Sequence, residues 1–236
     1  MKAMLLAAGE GTRLRPLTLE VPKCLVPISG KPLIEYWFDT FEQYGITEVL
    51  INTSYLARNV RDYLQRNSRG IKIRITYEEY LLGSGGTVKS NWNFVKREEL
   101  FFIFYADNLT NINLDNMLSF HHEKKKQHTL ALFKVPTPRE CGIVEIDENS
   151  SVVSFAEKPE NPDSDLAFAG IILSTPDLSR FFPDKEIFDL GYDVLPRMVG
   201  SASGYLIEEY LLDIGTPEKL EQAERDMKNN AFRDRA

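Results

Sequence analysis

Cysteine is nearly absent from this chain. Cys24 and Cys141 are the two thiols in 236 residues; they lie far apart and form no C-x-x-C pair, which excludes a disulfide framework and a cysteine zinc site. Long apolar runs are missing as well, and none approaches the roughly eighteen residues of a membrane-spanning helix. The apolar stretch after Lys2 is too short for a secretory signal and runs straight into a glycine loop, so a cytoplasmic protein with no membrane partner is expected. Cations are outnumbered: 28 Lys and Arg against 35 Asp and Glu leave a net charge of −7. That balance argues against a nucleic-acid partner, because phosphate backbones are held by a cationic surplus. Any phosphate ligand must therefore be met by a local cluster of cations or by a metal. No repeat, low-complexity linker or compositional break appears, so one domain spanning 1–236 is the economical expectation.

What the chain does have is a glycine loop at its start. Leu5 to Arg15 reads LLAAGEGTRLR, an apolar strand that breaks into Gly9-Glu10-Gly11. Such a break leaves backbone N–H groups open to a ligand with no Cβ in the way. Arg13 follows, with a planar fork of donors that matches phosphate oxygens in pairs. A Gly-x-Gly after a strand is also an ordinary tight turn. Two named loops are excluded: Leu14 stands where a dinucleotide fingerprint needs its third glycine, and no G-x-x-x-x-G-K-S/T occurs.

Strand-like runs alternate with helical patterns, which predicts an α/β fold, a Rossmann-like three-layer sandwich around a mainly parallel mixed sheet. Strands are expected at Ala3–Leu6, Glu48–Asn52, Ile71–Tyr77, Phe101–Tyr105, Leu130–Val135, Gly142–Ile146, Val152–Phe155 and Tyr205–Leu212. Helices are expected at Leu33–Tyr44, Ala57–Gln65, from Gly83 through Trp92, and from 216 to about 227, where Thr216 and Pro217 suit a cap and a first residue. The tail from Lys228 to Ala236 is polar and expected to fray. The basic run Lys124-Lys125-Lys126 reads as a solvated face.

In open α/β sheets ligands sit outside the carboxyl ends of strands. Asp107 and Asp213 both end apolar runs, so two carboxylates could converge on one hard cation such as Mg²⁺. Each could equally just terminate a strand. Lys23 lies in a segment stiffened by Pro16, Pro22 and Pro27, and Glu157-Lys158 pairs an acceptor with a cation just after a strand, a combination that also describes a surface ion pair.

The order of these segments resembles one family. LAAGEGTRLRPLT followed by PKCLVPISGKPLIEY resembles the signature of the sugar-phosphate nucleotidyltransferases, and LLGSGGTV, FFIFYAD, CGIVEID, FAEKP, FAGIILS and YLLDIGTPEKLEQA are similar to its later segments. The resemblance implies transfer of NMP from an NTP to a sugar 1-phosphate with release of pyrophosphate, and Mg²⁺ as cofactor. By position, it implies that Ala7, Ala8, Gly9, Gly11 and Thr12, with Gly83 and Gly85, bind nucleotide. Arg13 and Lys23 would neutralise charge at the reacting phosphates, and Asp107 and Asp213 would hold the metal. Gly142, Glu157 and Lys158 would take the sugar phosphate. Ala106 stands where the family usually has glycine, and Cys24 where it has proline. Within the family the chain most resembles short bacterial enzymes using GTP with mannose or manno-heptose 1-phosphate; UTP with N-acetylmuramate 1-phosphate or another hexose 1-phosphate is the alternative. An NAD-dependent oxidoreductase and an inactive nucleotide-sugar sensor are the readings from other classes. A homo-oligomer is compatible with all of them.

Overall fold

A computed structural model describes residues 1–234. In chain order the strands are β1 (Lys2–Leu6), β2 (Pro27–Ile28), β3 (Lys31–Pro32), β4 (Glu48–Thr53), β5 (Lys72–Tyr77), β6 (Phe101–Tyr105), β7 (Asn108–Thr110), β8 (His128–Lys134), β9 (Gly142–Ile146), β10 (Val152–Glu157), β11 (Leu166–Ser174), β12 (Ala202–Leu206) and β13 (Leu211–Asp213). The helices are α1 (Leu33–Gln43), α2 (Ala57–Arg66), α3 (Gly83–Ser90), α4 (Leu114–Lys124), α5 (Pro217–Lys228) and α6 (Ala231–Asp234), with short 3₁₀ and π segments between some of the elements. The fold is α/β with a mixed, mostly parallel sheet, as expected. The chain divides into two compact units: the first comprises Met1–Leu81, Phe104–Asn113 and the segment from Glu208 onward, the second Leu82–Ile103 and Leu114–Ile207.

In the first unit β1 pairs β4 and β4 pairs β5, both parallel. Helix α1 turns the face carrying Leu33, Ile34, Trp37, Phe38 and Phe41 inward, the spacing of one helical stripe. Trp37 and Phe41 meet Phe104 at 4.8 and 5.4 Å between ring centroids, which anchors the end of β6 shortly before Asp107. Helix α5 is capped as expected, the Thr216 hydroxyl accepting from Lys219 N–H with Pro217 in the first position.

The tail is a correction. It continues into α6, and the Phe232 ring lies 5.8 Å from Tyr36 and 5.4 Å from Tyr210, so one aromatic anchor outweighs the polarity of its neighbours; residues 235 and 236 lie outside the described residues. A second correction concerns Tyr205–Leu212, which is two strands. β12 pairs β8 in the second unit and β13 pairs β7 in the first. The break falls at Glu208 and Glu209, where the Glu209 carboxylate accepts from the Asn113 N–H at 3.0 Å.

In the second unit β11 pairs antiparallel with β8 and β9, β9 pairs antiparallel with β10, and β12 runs parallel to β8. The β9–β10 turn is held by the Asp147 carboxylate, which accepts from Asn149 and Ser151 N–H groups. The basic run is internally engaged: Lys124 pairs with Glu123, and Lys126 donates to the Gly200 carbonyl.

His128 is fully buried here, its Nδ1 2.8 Å from Ser174 Oγ and its Nε2 without a partner among the described residues. Burial pushes its pKa down to about 4 from the ordinary 6.5, with His121 adding to the shift and Asp177 opposing it. The unfolded chain therefore binds the proton first, so the residue's stabilisation is complete above pH 6.5 and is lost as pH falls toward 4. From pH 7 to pH 5 this loss is about 2 kcal/mol. Urea unfolding at the two pH values should show His128→Leu losing that much less stability than the wild type, whereas parallel losses would contradict the assignment.

Candidate active site

The first unit gathers most of the expected charged residues. Strands β7 and β13 pair antiparallel with Asp213 opposite Asn108, and Ile214 N–H donates to the Asp107 carbonyl at 2.8 Å. Two short strands far apart in sequence thus bring the two aspartates side by side. Lys23 reaches them from a single turn after Pro22: its Nζ lies 2.6 Å from Asp107 Oδ2 and 4.0 Å from Asp213 Oδ1, and its side chain is 11% exposed. Cys24, next to it, points inward and is buried, which pushes its thiol up to about 12; it packs where a proline would stiffen.

Gly11 adopts φ +65° at the end of the glycine loop, a left-handed conformation that glycine takes without steric cost. The Thr18 hydroxyl donates to its carbonyl at 2.7 Å. Gly9 is exposed, and a Cβ there would meet no atom of the described residues within 4 Å, so no contact among them accounts for its missing side chain. Thr12 and Arg13 are exposed in the turn that follows, which is anchored by buried Leu14. Arg13 makes no ion pair or hydrogen bond among the described residues. Ala8 is buried. The Ala7 N–H donates to Asn52 Oδ1 at 2.7 Å, so the run of N–H groups open to a ligand starts after it.

Two further residues here carry no signal of their own in the sequence. Lys219 Nζ lies 3.1 Å from Asp213 Oδ2. Gly215 gives space for the charges around it, since a Cβ there would lie 2.9 Å from both Arg13 Nη2 and Asp213 Oδ2. Glycines and acidic residues at strand ends are visible in the sequence, but only the fold puts them together.

The second unit holds the other expected residues. Glu157 ends β10 with Oε2 against two glycines: a Cβ on Gly142 would stand 2.7 Å from it and one on Gly191 2.5 Å. No ion pair joins Glu157 to Lys158 among the described residues. Burial raises the Glu157 pKa above its ordinary value, Lys158 pulls it back and Asp189 raises it further. Lys158 is exposed, with φ +49°, its N–H bonded to the Cys141 carbonyl. Gly83 and Gly85 play a packing part that the sequence does not reveal. The N–H groups of Gly85 and Gly86 both donate to the Phe188 carbonyl at 3.0 Å, and a Cβ on Gly83 would lie 2.5 Å from that oxygen. The Gly85 N–H is thus engaged by a carbonyl far along the chain.

Chemically, the first unit offers two carboxylates, two lysines and an unpaired guanidinium. Asp213 Oδ1 is a buried oxygen with no hydrogen bond, a position that a cation would satisfy. Among the described residues no third His, Cys, Asp or Glu joins to make a complete metal cage. Two carboxylates with the remaining ligands left to water and phosphate oxygens is the donor set that suits Mg²⁺. Replacing Lys23 by Met leaves the two aspartates facing each other and should cost on the order of 2 kcal/mol, less than a fully buried broken pair. Millimolar Mg²⁺ should then raise the melting temperature of Lys23→Met more than that of the wild type, because the cation takes the place of the ammonium. Equal shifts in both proteins would rule out a cation shared by these carboxylates.

A UTP--glucose-1-phosphate uridylyltransferase of Synechocystis sp. is 32% identical over 216 residues, covering 85% of this chain and 56% of the relative. A D-glycero-alpha-D-manno-heptose 1-phosphate guanylyltransferase of Campylobacter jejuni is 31% identical over 224 residues, 92% of this chain and 96% of the relative. This chain thus spans little more than half of the first and nearly all of the second. The crystal structure of HddC from Yersinia pseudotuberculosis complexed with GMP-PN shares the fold with a TM-score of 0.81 at 23% identity, covering 96% of this chain and 99% of that one. The family model described as nucleotidyl transferase matches residues 2–230, and the chain belongs to that nucleotidyl transferase family.

Proposed function

We propose that the protein transfers a nucleoside monophosphate from an NTP to a sugar 1-phosphate. An oxygen of the sugar phosphate attacks the α-phosphorus in line, the bond to the β-phosphate oxygen breaks, and pyrophosphate leaves; one P–O bond forms as another is lost. The observation that carries this reading is the meeting of Lys23, Asp107 and Asp213 from three distant segments, with unpaired Arg13 in the adjoining loop. Family membership sets aside the NAD-dependent oxidoreductase, and retention of all four charged residues speaks against an inactive sensor.

Both substrates are anionic, so the protein's part is positioning and charge neutralisation without a covalent intermediate. In this reading the N–H groups from Ala8 to Thr12 receive the nucleotide. Arg13 and Lys23 offset charge at the α-phosphate and the departing pyrophosphate; a well-placed arginine at a phosphoryl-transfer centre is worth roughly 10³ to 10⁵ in rate. Enzymes of this family generally use a divalent metal. Asp107 and Asp213 would hold Mg²⁺, which would screen phosphate oxygens when bound. Gly142, Glu157 and Lys158 take the sugar 1-phosphate, the carboxylate accepting from sugar hydroxyls and the ammonium facing the phosphate, while Gly83 sits at the nucleotide. A cytoplasmic location fits substrates too charged to cross a membrane unaided, and no helix among the described residues is long and apolar enough to span one.

GTP with mannose or manno-heptose 1-phosphate is favoured because the heptose 1-phosphate guanylyltransferase relative is matched along almost its whole length. UTP with another hexose 1-phosphate is the second reading, favoured by the uridylyltransferase relative. Four NTPs assayed against a panel of sugar 1-phosphates, with pyrophosphate as readout, should give the fastest release with GTP and a manno-configured sugar. Fastest release with UTP would favour the second reading, and none with any pair would overturn the activity.

A further inference from the structure

Two buried polar residues in the first unit belong to none of the roles above. Asn52, near the end of β4, is 4% exposed, and Glu78, just past the end of β5, is 5% exposed. Asn52 Nδ2 donates to Glu78 Oε1 at 2.8 Å, and Asn52 Oδ1 accepts from Ala7 N–H at 2.7 Å. Asn52 is also the ladder partner of Leu6, the last residue of β1. The first N–H past the end of that ladder is therefore held by a side chain.

A carboxylate only accepts hydrogen bonds, whereas a carboxamide has a donor end and an acceptor end. Glu78 consequently fixes which way the Asn52 amide points: NH₂ toward the carboxylate, oxygen toward Ala7. We propose that Asn52 and Glu78 are positioning residues that lock the entry of the glycine loop, holding Ala7 so that the N–H groups beyond it face the triphosphate. This rests on the reading of that loop as the NTP site. Buried, mutually satisfied polar groups of this kind enforce one geometry, because breaking either link strands a desolvated partner.

The polarity of the relay gives its test. Asn52→Asp keeps an acceptor for Ala7 but sets two carboxylates against each other; Glu78→Gln alone keeps an acceptor for the Asn52 NH₂. In the Asn52→Asp/Glu78→Gln double variant the polarity is reversed: the carboxamide introduced in place of Glu78 donates to the carboxylate introduced in place of Asn52, which still accepts from Ala7. Asn52→Asp should raise KM for the NTP about tenfold and leave KM for the sugar 1-phosphate within about twofold. Glu78→Gln, which keeps an acceptor but no longer excludes the reversed amide, should raise KM for the NTP by less than Asn52→Asp does, and the double variant should return to within about threefold of the wild type. Equal rises in both KM values, or no recovery in the double variant, would overturn the proposal. Hydrogen exchange at the Ala7 amide, measured without ligand, reads the clamp apart from activity: slow in the wild type, fast in Asn52→Ala. Fast exchange in the wild type would sink the clamp even if turnover is normal, whereas a wild type that turns over no NTP but protects Ala7 would instead sink the functional reading.

Discussion

The Lys23 ammonium, 2.6 Å from Asp107 and 4.0 Å from Asp213, is the contact on which the first unit's charged cluster depends. Strand pairing between β7 and β13 forces two carboxylates together, and like charges at such range repel unless a cation lies between them. Lys23 supplies that cation from a turn 84 residues before Asp107, and Lys219 holds the other oxygen of Asp213 from the first turn of α5. Arg13 stays unpaired, with Gly215 leaving room beside it. In the proposed reaction, such paired carboxylates and the spare guanidinium would exchange internal partners for those on an anionic substrate and its metal.

The rest of the first unit serves that geometry. The aromatic packing of Trp37 and Phe41 on Phe104 fixes the strand end that carries Asp107. The cluster of Ile28, Leu33, Tyr36, Leu109, Tyr210, Ile214 and Ala223 fixes the β7–β13 pair under α5. The Asn52–Glu78 relay does the same for the glycine loop. In the second unit a carboxylate, Glu157, is seated between two glycines, whose missing side chains leave the room it occupies. Both units give small residues the task of leaving room and charged ones the task of filling it.

Much of this is legible in the sequence because it is local. The stripe on α1, the Thr216-Pro217 start of α5, the glycine loop and the aspartates at the ends of apolar runs all carry signals within a few residues. What stays hidden is long-range. The run Tyr205–Leu212 reads as one strand because nothing local says that its halves pair with different neighbours. Nothing near Gly85 shows that the carbonyl taking its N–H lies at Phe188, and Gly191 carries no sign of its place against Glu157. Asn52 and Glu78 look like ordinary polar residues at strand ends until their burial is seen. The tail reads as frayed from its composition, yet one aromatic, Phe232, counts for more in packing than its polar neighbours.

The central claim is that Asp107 and Asp213, with Lys23 between them, form the cation-and-triphosphate end of the site. Titration of Mn²⁺ followed by electron paramagnetic resonance, in the presence of a non-hydrolysable NTP, tests it most directly. Wild-type protein should bind Mn²⁺ in a nucleotide-dependent manner, and the Asp107→Asn/Asp213→Asn double variant, shown to be folded by its circular dichroism, should lose that binding by at least about tenfold. Undiminished Mn²⁺ affinity in the double variant would contradict the account.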